Sequence, residues 1–131
     1  SRHDYEEIPS NVAFELYDQL ESKLVKLKGQ SFGGSHIRYA DNFSYNDPVD
    51  GSKTNKQGLR IILDDGSRVI LRLSGTGTKG ATIRLYLESY VSCNGDLFQN
   101  PQKALSTLIN DIDLLAGIKQ KTGRMNPTVI T

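Results

Sequence analysis

The stretch G-L-R-I-I-L-D-D-G-S-R-V-I-L-R-L-S-G-T-G-T-K-G-A-T-I-R-L-Y, residues 58–86, decides the fold of this 131-residue chain. Apolar and polar side chains alternate along it, a pattern typical of half-buried β-strands. A three-residue loop around a left-handed Gly66 sets Ile61 opposite Val69, so that the apolar faces of two strands match. The stretch therefore predicts antiparallel strands at residues 59–64, 68–74 and 81–90.

Two arginines, Arg72 and Arg84, bracket the second turn of this stretch. The alternation places both on the face opposite the apolar side chains. Arginine offers a rigid fork of charged donors, and small residues let backbone N–H groups approach an anion. The turn is therefore a candidate phosphate site, made of Arg72, Ser74, Gly75, Thr76, Gly77, Thr78 and Arg84.

Two nucleotide-binding motifs and a bare hairpin are the alternatives for this turn. Its letters from Gly75 to Gly80 match the dinucleotide fingerprint G-x-G-x-x-G, but that motif requires a helix to follow it, and here a strand is predicted. A Walker A loop is absent from the sequence. A hairpin turn without a ligand stays open as an alternative.

The flanking sequence predicts helices. An apolar stripe at helical spacing over residues 11–28 predicts a first helix that ends at Gly29. Asn100 and Pro101 predict the start of a second, ending near Gly123. A short strand is expected at residues 36–40 and a loop at residues 42–57. The chain therefore predicts an α+β, two-layer domain, with a four-stranded, mainly antiparallel sheet and helices packed on one face.

Composition excludes several functions. A net charge of +1 gives no global field for nucleic acid, and no apolar run is long enough for a membrane span. The single Cys93 fits a reducing cytoplasm, and the absence of an initiator Met suggests a processed product or a piece of something longer. No catalytic or metal-binding residue is predicted; ordinary structural roles are favoured for His3, His36, Cys93, Asp47 and Asp50.

The stretch at residues 58–86 resembles the C-terminal domain of the eukaryotic α-D-phosphoglucomutases. The opening S-R-H-D-Y-E-E, the A-D-N-F-S-Y-N-D-P-V-D-G-S loop and the closing G-R-M-N-P-T-V-I-T resemble it too. The likeness covers nearly the whole chain. It implies a TATA-box-binding-protein-like fourth domain at residues 1–131, with an interdomain linker at 1–9 and a C-terminal tail, expected to be irregular, at 123–131.

The resemblance also implies a function. In the α-D-phosphohexomutase superfamily this domain grips the phosphate of the bound sugar that does not react. Glucose 1-phosphate, glucose 6-phosphate and the intermediate glucose 1,6-bisphosphate are then its ligands, and the N-terminal domains of the same chain are its partners. The family's phosphoserine loop, Mg²⁺ loop and sugar-reading loop are absent here, so the isolated chain is expected to be inactive. No cofactor is expected in it.

Two other hypotheses for the function stay open beside the enzyme domain. The family includes relatives with little or no mutase activity that act at cell junctions or in exocytosis, and such a relative could keep the arginine and hydroxyl set. A free-standing phosphate-binding module is the weaker possibility. The residues before Ser1 would discriminate between them.

Overall fold

The computed structural model describes residues 1–46, 53–77, 80–89 and 105–131. Strands and helices alternate with short connections at the start of the chain, and a block of strands then precedes the last helices. In chain order the elements are β1 (Arg2–Ile8), α1 (Ser10–Lys23), a 3₁₀ turn (Leu24–Lys26), β2 (Ser31–Phe32), β3 (Ser35–Asn46), β4 (Lys53–Leu63), β5 (Arg68–Gly77), β6 (Gly80–Glu88), α2 (Ser106–Ala116), α3 (Ile118–Thr122) and β7 (Val129–Ile130).

The strands form one sheet of seven, in the order β2-β3-β4-β5-β6-β1-β7. Every pair of neighbours is antiparallel. The α+β class and the antiparallel pairing agree with the sequence prediction, whereas the sheet has seven strands and not four. The additional strands are β1, β2 and β7. Strand β1 pairs with the distant β6 and β7, whereas the two-residue β2 forms a local hairpin with β3.

The register of the central hairpin follows the prediction. Ile61 pairs with Val69, and the amide of Leu63 donates to the carbonyl oxygen of Ser67 at 2.9 Å. Gly66 has φ of 90°, in the left-handed region where glycine is favoured. Matching of apolar faces thus determined the loop length.

The helices cover one face of the sheet. Helix α1 contacts β5 and β6, and both α2 and α3 contact α1. Leu16, Leu20, Leu24 and Leu27 of the predicted first stripe are buried, with Val12 partly buried beside them. The core therefore lies between this helical layer and the apolar side of the sheet.

Several boundaries differ from the prediction. Residues Arg2–Ile8, within the expected linker, form an internal strand, and Val129–Ile130, within the expected irregular tail, form an edge strand. Strands β3 and β4 extend into the predicted loop at 42–57. Gly117, with φ of 71°, divides the second helix into α2 and α3, and α3 ends before Gly123 as expected. The predicted start at Asn100 and Pro101 lies outside the described residues.

Candidate functional site

The hairpin of β5 and β6 brings the two predicted arginines together. Arg72 and Arg84 are directly opposed residues on neighbouring strands. Leu71 and Leu85, which precede and follow them, are buried in the core and oppose each other in the same way. Alternation along both strands therefore puts the arginines side by side on the face away from the helices.

The far end of the hairpin carries the remaining candidates. Ser74 pairs with Thr82, and Gly77 pairs with Gly80, with a register irregularity between these two pairs. The backbone of Gly75, Thr76 and Gly77 belongs to β5, so the connection is shorter than the turn predicted from the sequence. Thr78, the last candidate, lies outside the described residues.

The base of this turn rests on the end of β1. Gly80 has φ of 93°, and a Cβ placed on it would lie 2.6 Å from the carbonyl oxygen of Ile8. Strand β1 is irregular between Tyr5 and Ile8, and Glu7 has a positive φ of 56°, which is uncommon for a side chain of its kind. Only glycine allows the two backbones to approach this closely at position 80.

Arg72 depends on a second glycine, which sequence reasoning did not single out. A Cβ on Gly58 would lie 2.9 Å from Cγ of Arg72 and 3.0 Å from Cε1 of Phe43. Gly58 of β4 pairs with Phe43 of β3 and is buried. An isolated glycine inside a strand pattern marks a close approach, and that signal was present in the sequence.

Arg84 has an acidic neighbour that was also missed. Asp4 of β1 is directly opposed to Arg84 of β6, and its Oδ1 lies 3.3 Å from Nε of Arg84. The same oxygen lies 3.3 Å from Nε of Arg2. Asp4 is only 3% exposed. A long-range pairing of the first strand with β6 creates this contact, so no local sequence signal could have shown it.

Other arginines on this face are neutralised in pairs. Arg60 donates two hydrogen bonds to Asp41, at 2.9 and 2.6 Å, and its guanidinium lies over the rings of Tyr39 and Phe43. The hydrogen bond to Asp41 raises the pKa of Arg60.

Arg68 forms a similar bidentate pair with Glu88, at 2.8 and 2.9 Å. This hydrogen-bonded pairing lowers the pKa of the Glu88 carboxyl and raises that of the Arg68 guanidinium. Arg72 and Arg84 oppose each other directly, and like charges so placed destabilise a strand pair. An anion between them would remove that repulsion.

The described residues offer no metal centre, since none of their histidine, cysteine and carboxylate side chains form a group of three suited to an ion. A cavity of about 200 Å³ lies on the helical side of β1, lined in part by His3, Tyr5 and Asp113. Burial, with a smaller contribution from Asp113, raises the pKa of Tyr5. In the described part of the chain, no helix combines the length and apolar character needed to cross a bilayer.

The fold and this face together define an α+β domain that presents a pair of arginines near the end of a β-hairpin. A family model described as "Phosphoglucomutase-1, C-terminal domain" matches residues 1–128. The chain belongs to this family, as the C-terminal domain of a phosphoglucomutase.

Relatives agree along the whole chain. It is 50% identical to a phosphoglucomutase of Rhizobium radiobacter and 45% identical to phosphoglucomutase-1 of Oryctolagus cuniculus, in each case over 100% of this chain and 24% of the relative. The family resemblance therefore extends to bacteria as well as eukaryotes. The chain spans about a quarter of the length of these relatives.

A solved structure has the same fold. The open form of the exocytosis-sensitive phosphoprotein pp63/parafusin, a phosphoglucomutase from Paramecium, superposes with a TM-score of 0.81 at 38% identity. The match covers 99% of this chain and 22% of that one.

Proposed function

We propose that this chain is the phosphate-gripping domain of an enzyme that interconverts glucose 1-phosphate and glucose 6-phosphate through glucose 1,6-bisphosphate. Arg72 and Arg84 hold the phosphate of the sugar that is not reacting. Ser74, Thr76 and Thr78 add hydroxyl donors, and Gly75 and Gly77 let backbone N–H groups approach. The observation that carries this proposal is the direct opposition of Arg72 and Arg84 on the face away from the helices.

The chemistry suits a remote grip. A dianionic phosphate is matched by two guanidinium groups, each able to donate two parallel hydrogen bonds. Holding the idle phosphate fixes the sugar for transfer at its other end, which reduces the entropic cost of the reaction. The intermediate must present either phosphate to the same grip, and a clamp of charge and donors can accept both.

The rest of the reaction belongs to other domains. The family's phosphoserine loop and Mg²⁺ loop do not occur in this sequence, so we assign the phosphoserine and the Mg²⁺ of the full-length enzyme to its other domains. Residues 1–131 form one domain in this proposal, and the isolated chain is inactive. A cytoplasmic location fits the single cysteine.

The proposal is tested by steady-state kinetics of the full-length protein. A charge-assisted contact is worth about 1.5–3 kcal/mol, so Arg84→Ala is expected to lower kcat/KM for glucose 1-phosphate about ten- to a hundred-fold. Arg68→Ala is the matched control, because Arg68 lies on the same face of the same hairpin, on strand β5, and forms a bidentate pair with Glu88. Equal kinetics for Arg84→Ala and wild type would show that the site is wrong.

A second candidate is a non-catalytic role related to exocytosis. The similarity to the exocytosis-sensitive phosphoprotein of Paramecium favours keeping it. That structure is also named a phosphoglucomutase, so the two roles are not exclusive. Sequencing the gene upstream of Ser1 discriminates: an intact serine loop and three magnesium aspartates would support the enzyme, and their loss would support the alternative.

A further inference from the structure

Asp4 occupies an unusual position for a carboxylate. It lies on strand β1, between β6 and β7, and is directly opposed to Arg84 on one side and to Val129 on the other. The backbone amide of Thr128 donates to its carbonyl oxygen at 2.7 Å. The side chain is 4% exposed, although it is on the sheet face away from the helices. A carboxylate is rarely buried to this extent unless it is paired.

Its partners are both arginines. Oδ1 of Asp4 lies 3.3 Å from Nε of Arg2 and 3.3 Å from Nε of Arg84. The contacts are ion pairs without hydrogen-bond alignment, since in the described part of the chain none of these three atoms has a hydrogen-bond partner. Oδ1 of Asp4 is thus shared between two guanidinium groups, and neither group forms a bidentate pair with the carboxylate.

We infer that Asp4 is the positioning residue of Arg84 in the proposed phosphate site. An arginine that is engaged through Nε still presents its two Nη groups to a second anion. Asp4 therefore contacts the Nε side of the Arg84 guanidinium and leaves the two Nη groups for the ligand. The inference rests on the proposed function and adds a residue that does not itself touch the sugar phosphate.

Pre-organisation is the physical benefit. A long arginine side chain loses rotamer entropy when it is fixed by a ligand. Asp4 limits that freedom before the ligand arrives, so ordering the Arg84 side chain reduces the binding free energy less. It also offsets the repulsion between Arg84 and the opposed Arg72.

The charge of the cluster supports the same role. Arg2 and Arg84 carry two positive charges and Asp4 one negative charge, so these three residues keep a net positive charge. A phosphate monoester carries about 1.5 to 2 negative charges at neutral pH. The cluster therefore still attracts such a ligand while Asp4 fixes one of its two guanidinium groups.

The test is a double-mutant cycle on the full-length enzyme with glucose 1-phosphate as substrate. Asp4→Asn keeps the size of the side chain and removes its charge. It is expected to raise KM about ten-fold, at the lower end of the losses seen when an outer partner that orients a metal ligand is removed. We expect kcat to stay within about two-fold of wild type, because Asp4 does not itself touch the sugar phosphate. A mere loss of folded enzyme would instead lower kcat and leave KM unchanged.

The control is Asp41→Asn, which removes a carboxylate paired with Arg60 on the same face. It should leave KM within about two-fold of wild type. In an Arg84→Ala background, Asp4→Asn should have no further effect on KM, whereas any effect on the unfolding temperature should persist. If Asp4→Asn does not yield folded protein, Asp4→Ser, which is smaller, takes its place in the same cycle.

The outcomes separate the two claims. If Arg84→Ala impairs the enzyme but the Asp4 variant has a wild-type KM, the positioning role is wrong and the phosphate grip stands. If the Asp4 variant raises KM equally with and without Arg84, the role is also wrong. If Arg84→Ala itself changes nothing, the proposed function fails.

Discussion

Gly58 and Arg72 are so close that a methyl group on the glycine would lie 2.9 Å from Cγ of the arginine. The same methyl group would lie 3.2 Å from the carbonyl oxygen of Leu71. The stem of Arg72 thus lies against the bare backbone of the neighbouring strand. Main-chain atoms of β4 therefore pack directly against Arg72, and a side chain at position 58 would displace the arginine.

Gly58→Ala is therefore expected to displace Arg72. Overpacking of this kind costs about 1–3 kcal/mol of stability, measured as the free energy of unfolding in urea. In the full-length enzyme, kcat/KM should fall while the protein remains folded at 25 °C. A folded Gly58→Ala variant with wild-type kinetics would show that the position of Arg72 does not matter for the reaction.

Gly80→Ala should be more damaging to stability than an alanine at a comparable glycine. Gly29 is the matched control, since its φ is 87° against 93° at Gly80, yet a Cβ on Gly29 would meet nothing within 4 Å. The contact with the carbonyl oxygen of Ile8 should add at least about 1 kcal/mol to the cost at Gly80. Equal losses in urea unfolding would mean that the strand end moves aside freely.

The amides of the hairpin end should respond to ligand. Titration of this chain with glucose 6-phosphate is expected to shift the NMR signals of residues 74–80, because we propose that this segment and the two arginines hold the phosphate. Binding should be weak, since in the proposed function this domain holds only the phosphate that is not reacting. The Arg84→Ala chain is the control and should show much smaller shifts. Shifts confined to the cavity beside His3 would place the ligand elsewhere.

Tyr17 should make the domain sensitive to alkali. Burial, with the nearby charges of Glu21 and Asp18, raises the pKa of its hydroxyl to about 12, against about 10 in an unfolded chain. The unfolded chain therefore releases this proton first. The contribution of Tyr17 to stability is complete below pH of about 10 and is lost as pH rises towards about 12.

Tyr17→Phe should remove this dependence. In urea unfolding at about pH 9, 10 and 11, the variant should lose less stability as the pH rises than wild type does. The hydroxyl of Tyr17 has no hydrogen-bond partner in the described part of the chain, so the variant should cost less than about 1 kcal/mol at pH 7. Parallel pH profiles for the two proteins would contradict the assignment.

The sequence predicted those features that depend on neighbouring residues along the chain. Alternation placed Arg72 and Arg84 on one face, and the match of apolar faces gave the pairing of Ile61 with Val69. Gly66 took the left-handed conformation that the loop required. Each of these rests on a period or on a turn of a few residues, which local sequence encodes.

Features that depend on distant pairing were not predicted. Strand β1 reads as a charged, linker-like segment, yet it lies inside the sheet because β6 and β7 hydrogen-bond to both of its edges. Asp4 is buried because of that placement and because Arg2 and Arg84 lie beside it. The local sequence pattern indicates neither the placement nor these two contacts. Gly117 is a different case, because an isolated glycine in a helical pattern was a visible signal of the break there.

The first and last residues of the chain lie side by side, one immediately before β1 and the other immediately after β7. The hydroxyl of Ser1 donates to the carbonyl oxygen of Thr131 at 3.0 Å, and Arg2 and Thr131 exchange backbone hydrogen bonds at 2.8 and 2.9 Å. A short glycine-serine bridge between these ends would therefore close the polypeptide into a ring without breaking a strand pair. Such a ring, reopened at the exposed turn around Asp65, is a circular permutant in which the present termini become an internal loop.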